Sequence, residues 1–200
     1  MRRQHTITES ILPDGYTRLR YIESTGTQYI LTNLTHATNL WKWYSRTWSD
    51  FTITTYTVIH GLNYVYGNSR IYSLLGTVPC FDYVCNSAYS SVTLNSNVIG
   101  IWVDTFEDAN SVTVNGITYP IVKNSNTRNE RVVLMCNIFN YSTKTIGCGK
   151  YARFTIYDGN DNLKLDGYPA LRSTDSKPGL YDIVNNVFYT NAGTGEFLYM

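Results

Sequence analysis

The plainest regularity along the chain is an alternation of apolar and polar positions. This is the period at which successive side chains of a β-strand reach opposite faces of a sheet. In ARFTIYDG, residues 152–159, Ala152, Phe154 and Ile156 fall on one face and Arg153, Thr155 and Tyr157 on the other. FTITTYTVIH, Phe51 to His60, repeats the device. ERVVLMCNIF, Glu130 to Phe139, is apolar almost throughout and reads as a strand buried on both sides, although periodicity alone does not separate it from a short helix. In SVTVNGITYP, Asn115-Gly116 parts two β-branched runs with a two-residue turn of the type that accepts positive φ, the strongest short-range hairpin signal. Asp158-Gly159 marks a second tight turn. NSNTRNE and RSTDSKPG separate further runs, and no stretch longer than about a dozen residues carries a helical stripe.

Many strands with frequent turns predict an all-β protein built as an antiparallel sandwich or barrel. No internal repeat or linker divides the chain. One domain is therefore expected over residues 13–200, preceded by an N-terminal arm of residues 1–12. That arm is polar and basic, and Arg2, Arg3, His5 and Ile7 are its candidate anchors on a neighbouring subunit. The far end has the opposite character. DIVNNVFYTNAGTGEF, Asp182 to Phe197, carries too much aromatic surface for a free tail and is expected to be packed.

Composition sharpens this picture. The chain has 18 Tyr, 7 Phe and 4 Trp but only 16% charged residues, a set that suits pleated, half-buried surfaces and not helices. A formal net charge of +1 gives no broad attraction for nucleic acid or anionic membranes, so neither is an expected partner. Apolar runs fall well short of the roughly 20 residues that cross a bilayer, and MRRQHTITES lacks the apolar core of a signal peptide. A soluble protein made in a cytoplasm is the expectation. Cys80, Cys85, Cys136 and Cys148 follow no zinc spacing, and His5, His36 and His60 are scattered, so no metal or other cofactor is predicted.

Catalysis finds little support in the residue pattern. A glycoside hydrolase needs two carboxylates across a sugar bond, and in VDTFEDAN only Asp104 and Asp108 have the parity to share a face. The same residues suit a solvated loop entering a hairpin better. IGCGKY, Ile146 to Tyr151, lacks the spacing of a phosphate loop, and its glycines suit a close approach or a bulge. Binding fits the inventory better, because Trp and Tyr present apolar rings to sugars and to protein partners. NLWKWYSRTW, Asn39 to Trp48, places Trp41 and Trp43 on one strand face and Lys42 and Tyr44 on the other. Either one of these faces enters the core, or Trp41, Trp43, Tyr44 and Trp48 form a contact for glycan or protein.

Two stretches resemble a known family. LPDGYTRLRYIESTGTQYI, Leu12 to Ile30, and IGCGKYARFTIYDGNDNLKLDGYPALRSTDSKPGLYDIVNNVFYTNAGTGEF, Ile146 to Phe197, are similar to concanavalin A-like (laminin G-like) jelly-roll domains of gut phages, prophages and bacterial surface proteins. The likeness covers about a third of the chain, at both ends. The sequence carries LTN at Leu31 to Asn33 where the family has Asp-Thr-Gly, so no role transfers to that position. The resemblance implies an antiparallel two-sheet jelly-roll sandwich whose ends lie together, with Phe188, Tyr189 and Phe197 closing the core. It further implies that KPGLYD forms the turn before them, with Gly179 at the bend and Asp182 bonding locally to backbone. In function it implies a non-enzymatic virion component, such as a head decoration, head fibre or tail-associated protein, assembled in the bacterial cytoplasm. Its partners would be capsid or tail subunits and cell-surface or mucus glycans, and its state a dimer or trimer. A carbohydrate-binding module of a phage or bacterial surface protein is the alternative, and a sugar-cleaving enzyme ranks below both.

Overall fold

The computed structural model describes residues 11–36, 41–48, 56–62, 67–74, 78–85, 88–94, 98–122, 130–139 and 143–200. Its strands run in order β1 (Tyr16–Arg18), β2 (Ile22–Thr25), β3 (Ile30–His36), β4 (Lys42–Trp48), β5 (Tyr56–Leu62), β6 (Gly67–Leu74), β7 (Val78–Cys85), β8 (Ala88–Thr93) and β9 (Trp102–Glu107). There follow β10 (Ser111–Val114), β11 (Ile117–Pro120), β12 (Glu130–Leu134), β13 (Cys136–Phe139), β14 (Thr143–Ile146), β15 (Cys148–Tyr157), β16 (Leu163–Arg172), β17 (Lys177–Asp182), β18 (Val187–Tyr189) and β19 (Leu198–Tyr199). No helix occurs among the described residues. The larger sheet has the order β11-β10-β9-β4-β15-β16-β17-β18, with β1 on β16, β2 on β15 and β19 on β2. The smaller runs β3-β12-β5-β6-β7-β8, and β13-β14 is a separate hairpin. All pairs are antiparallel, and the two sheets pack on each other in a sandwich of the jelly-roll kind.

Alternation decides which side chains fill the core. Along β4, Trp43, Ser45 and Thr47 are buried while Lys42, Tyr44, Arg46 and Trp48 face outward. Its neighbour β9 buries Val103, Thr105 and Glu107 and turns out Trp102, Asp104 and Phe106. Trp43, Val103, Phe154, Ile156 and Leu180 of the larger sheet join Ile30, Ile59, Phe81 and Leu134 of the smaller in one cluster. The β10–β11 hairpin closes as expected, with φ of 47° at Asn115 and 84° at Gly116.

In the strands and turns before the C-terminal end, four expectations are corrected. Ala152 does not share the core face of Phe154: the register with β4 slips between Tyr151 and Arg153, and the extra residue of this bulge turns Tyr151 inward instead. Tyr151 is fully buried, its hydroxyl donates to the Val58 carbonyl at 3.1 Å, and burial pushes the phenol well above the ordinary tyrosine range. In FTITTYTVIH, residues 51–55 lie outside the described residues, and residues 57–61 are all buried, so β5 does not alternate. ERVVLMCNIF is two strands, because the chain leaves the sheet at Met135, whose φ is 65°. The Asp158 turn is a longer loop, in which the Asp158 carboxylate accepts from the backbone N–H of Asn160 (2.9 Å) and Asn162 (3.0 Å).

At the C-terminal end KPGLYD is strand β17 and not a turn. Gly179 is needed for another reason, since a Cβ there would stand 2.3 Å from the Tyr189 carbonyl oxygen. Asp182, fully buried, accepts from Val184 N (3.0 Å), Asp166 N (3.2 Å) and Asn185 Nδ2 (2.6 Å). The two ends of the fold do lie together. The Asn191 carboxamide oxygen accepts from Tyr29 N (3.0 Å), Ala192 N donates to Tyr29 O (2.8 Å), and β19 pairs with β2. Tyr189 and Phe197 enter the main core, whereas Phe188 packs in a second cluster on the outer face with Tyr16, Tyr168, Ala170 and Tyr181. Leu12, placed by the sequence in the arm, is buried in that second cluster at 4% exposure, so the packed chain begins before residue 13. Arg2, Arg3, His5 and Ile7 lie outside the described residues.

Candidate functional site

The tryptophan-rich segment does not act as one surface. Trp43 is 5% exposed and stacks on His60 with ring centroids 3.8 Å apart, and His60 Nε2 stands 3.0 Å from the buried Glu107 Oε1. Trp41 packs partly buried against the same core, 6.4 Å from Trp43. Trp43 is therefore a core residue, because the face of β4 that carries it points between the sheets. Tyr44 and Trp48 point the other way, onto the outer face of the larger sheet.

There they meet residues that the sequence gave no reason to join. A groove of about 490 Å³ is lined by Arg18, Leu19, Arg20, Tyr44, Arg46, Trp102, Ala152 and Arg153. A second depression of about 220 Å³ adjoins it, sharing Arg20 and Trp102 and adding Tyr21, Trp48, Lys150 and Met200. Together they form an open trough within the roughly 300–1,000 Å³ typical of ligand sites. The trough lies where the sheet divides. The first half of β15 pairs with β2, from Cys148↔Thr25 to Tyr151↔Ile22, and its second half with β16, from Phe154↔Gly167 onward. The link from Arg18 to Tyr21 crosses between these partners.

Polar contacts fix the walls. The Tyr44 hydroxyl donates to Asp104 Oδ1 at 2.7 Å, and Arg46 Nη1 reaches Asp104 Oδ2 at 3.2 Å. Burial first, then this bond to Asp104, pushes the Tyr44 phenol up to about 12. Arg153 forms a fork on Asp166, with Nε to Oδ1 at 3.0 Å and Nη2 to Oδ2 at 2.9 Å. Asp166 is further held by the hydroxyls of Thr155 and Tyr168. Cations lie against rings throughout. Lys150 Nζ is 3.9 Å from the Trp48 centroid and 5.2 Å from that of Tyr21. Arg46 lies 5.8 Å from Trp102, and Arg18 4.5 Å from Tyr168.

The carboxylates weighed for catalysis are differently employed. Asp104 binds Tyr44 and Arg46, while Asp108 accepts from Asn110 N (2.9 Å) and Ser111 N (2.7 Å) at the entry to β10. Neither lines the depressions described above. Gly147 in IGCGKY serves close approach, since a Cβ there would lie 2.4 Å from Val58 N. Cys80 and Cys136 are buried, and burial pushes the half-buried Cys148 thiol up. Among the described residues no group of His, Cys, Asp and Glu gathers as a metal site, and no helix is long and apolar enough to cross a membrane.

The molecule thus belongs to the class of antiparallel β-sandwiches that carry an open, cation-lined trough on an outer sheet face. Compared with known proteins, the chain matches no protein-family model and no curated protein.

Proposed function

We propose that this chain is a non-enzymatic adhesion protein of a bacteriophage particle, a head decoration, head fibre or tail-associated component that holds glycans in the trough on its larger sheet. The observation that carries this reading is the placement of Trp48 and Trp102 side by side on a solvent-facing surface, where the core has no use for them. Aromatic side chains so placed are characteristic of binding surfaces. The likeness of residues 12–30 and 146–197 to concanavalin A-like domains of phages and bacterial surface proteins supports the virion setting, with assembly in the host cytoplasm on capsid or tail subunits. Dimers or trimers displayed in many copies would convert weak single-site binding into firm attachment.

The test is a glycan array probed with the wild-type chain, Trp48→Ala and Trp102→Ala. Saturable binding that both variants weaken while remaining folded is expected, and a blank array with folded protein refutes the adhesion reading. Immunodetection in purified particles tests the setting. Its absence there, with glycan binding intact, would favour the carbohydrate-binding module of a bacterial surface protein.

A further inference from the structure

The trough's side chains carry a charge that the whole-chain composition conceals. Five cationic side chains line it, Arg18, Arg20, Arg46, Lys150 and Arg153, and no Asp or Glu side chain does. The chain as a whole has 16 Lys and Arg against 15 Asp and Glu, so a large share of its positive charge is gathered on one patch. Two of the five are answered by acids, Arg46 by the outward-facing Asp104 beside it and Arg153 by the more deeply set Asp166. Arg18, Arg20 and Lys150 form no ion pair among the described residues; Glu23, opposite Lys150 in register, forms none with it.

How the unanswered charges are held matters more than their number. Lys150 is placed by the rings of Trp48 and Tyr21, and Arg18 by the ring of Tyr168. A ring attracts a cation through its quadrupole but brings no net charge. It orients the head group and leaves both the charge and the N–H donors available, which a carboxylate partner would not. Tryptophan and tyrosine in this trough therefore act first as holders of cations. Lys150 occupies a face of Trp48 on which a nucleobase would have to stack, so the arrangement suits an anion that needs donors better than one that needs ring faces.

Resting on the adhesion reading, we infer that the trough's ligand is an acidic polysaccharide bound through uronate carboxylates. An open trough running through two depressions fits a chain lying across it, and guanidinium forks match carboxylate geometry. Spaced carboxylates along a polyuronate would meet Arg20 at the junction of the depressions, Lys150 in the smaller and Arg18 in the larger.

The experiment is isothermal titration of the full chain with polygalacturonate, with the same polymer fully methyl-esterified, and with oligothymidylate. Polygalacturonate should bind saturably, and Arg20→Gln/Lys150→Gln should weaken it about tenfold or more, because hydrogen bonds to charged groups are lost. Raised salt should weaken it as well, and the neutral ester should not bind. If the ester binds as tightly as the acid and Trp48→Ala abolishes both, the charge inference falls while adhesion stands. Equal binding by the double variant also overturns it, and tighter oligothymidylate binding reassigns the trough to nucleic acid. If neither polymer binds, nor any glycan on the array, both readings fall.

Discussion

Replacing Gly193 by alanine tests the packing on which the whole sandwich depends, the closure of the C-terminal loop against the first strands. A Cβ at this position would stand 2.0 Å from the Thr27 carbonyl oxygen and 3.1 Å from the Tyr29 ring. A relaxed carbon–oxygen contact is roughly 3.3 Å, so the loop must move off residues 27–29 by about an ångström. The hydrogen bonds from Thr194 N to Thr27 O (3.0 Å) and from Ala192 N to Tyr29 O (2.8 Å) lie in the path of that movement. Each contributes about 1 kcal/mol net, and overpacking adds about 1–3 kcal/mol. Against this, alanine restricts the unfolded chain and returns about 0.4–1 kcal/mol. The expected result is a loss of about 2–5 kcal/mol, read from urea denaturation followed by tryptophan fluorescence, with the slope m unchanged. Phe197, now 2% exposed beside this loop, should become accessible in the same variant. A Gly193→Ala protein as stable as wild type would show that the termini are not locked together as described.

Two further outcomes separate the inner and outer faces of the sheet. Trp43→Ala should cost about 3–5 kcal/mol because it empties a core site stacked on His60, whereas Trp48→Ala should cost about 1 kcal/mol or less, near the worth of an exposed cation–π contact; similar losses measured by urea denaturation would contradict the assignment of faces. Tyr44, with its phenol pushed up to about 12, keeps its proton where an ordinary tyrosine near 10 has lost it. Since its folded-state value lies above the unfolded one, its contribution is complete below about pH 10 and disappears as pH approaches about 12. The ultraviolet titration of wild type minus Tyr44→Phe should show this tyrosinate appearing near the upper value, and an appearance near pH 10 would sever the proposed bond to Asp104.

The parts of this structure that were legible in the sequence are those fixed by neighbours along the chain. Asn115-Gly116 closes its hairpin because positive φ at two adjacent residues is a local requirement. The two-faced character of β4 was legible for the same reason, but which face turns inward was not, since each carries aromatic residues. Ala152 was misplaced because a single-residue bulge reverses parity, and nothing local announces it. Gly179 looked like a bend and is instead a crossing point with β18, a fact about a partner strand. The trough was missed altogether. Tyr21, Trp48, Trp102 and Lys150 lie far apart in sequence and meet only through the pairings β2–β15, β15–β4 and β4–β9. A net charge of +1 gave no hint of such a patch, because a sum over the chain contains no information about where its terms sit.

The position of the trough follows from the strand order. A continuous sheet presents a nearly flat outer face, whereas here β15 changes partner from β2 to β16 at the point where it bulges. The link between β1 and β2 bridges that change, and its backbone is tied on both sides, with Leu19 N–H donating to the Pro169 carbonyl (2.9 Å) and Arg20 N–H to that of Met200. Leu19 is drawn into the core, so alternation turns Arg18 and Arg20 outward. The cations are thus presented by a segment anchored at every step and not by a free loop. A site held in this way loses little side-chain and backbone freedom on binding. The same interruption that costs the sheet its regularity therefore supplies both the depression and the fixed charges within it, which explains why the trough lies here and not at the turns around the sandwich rim.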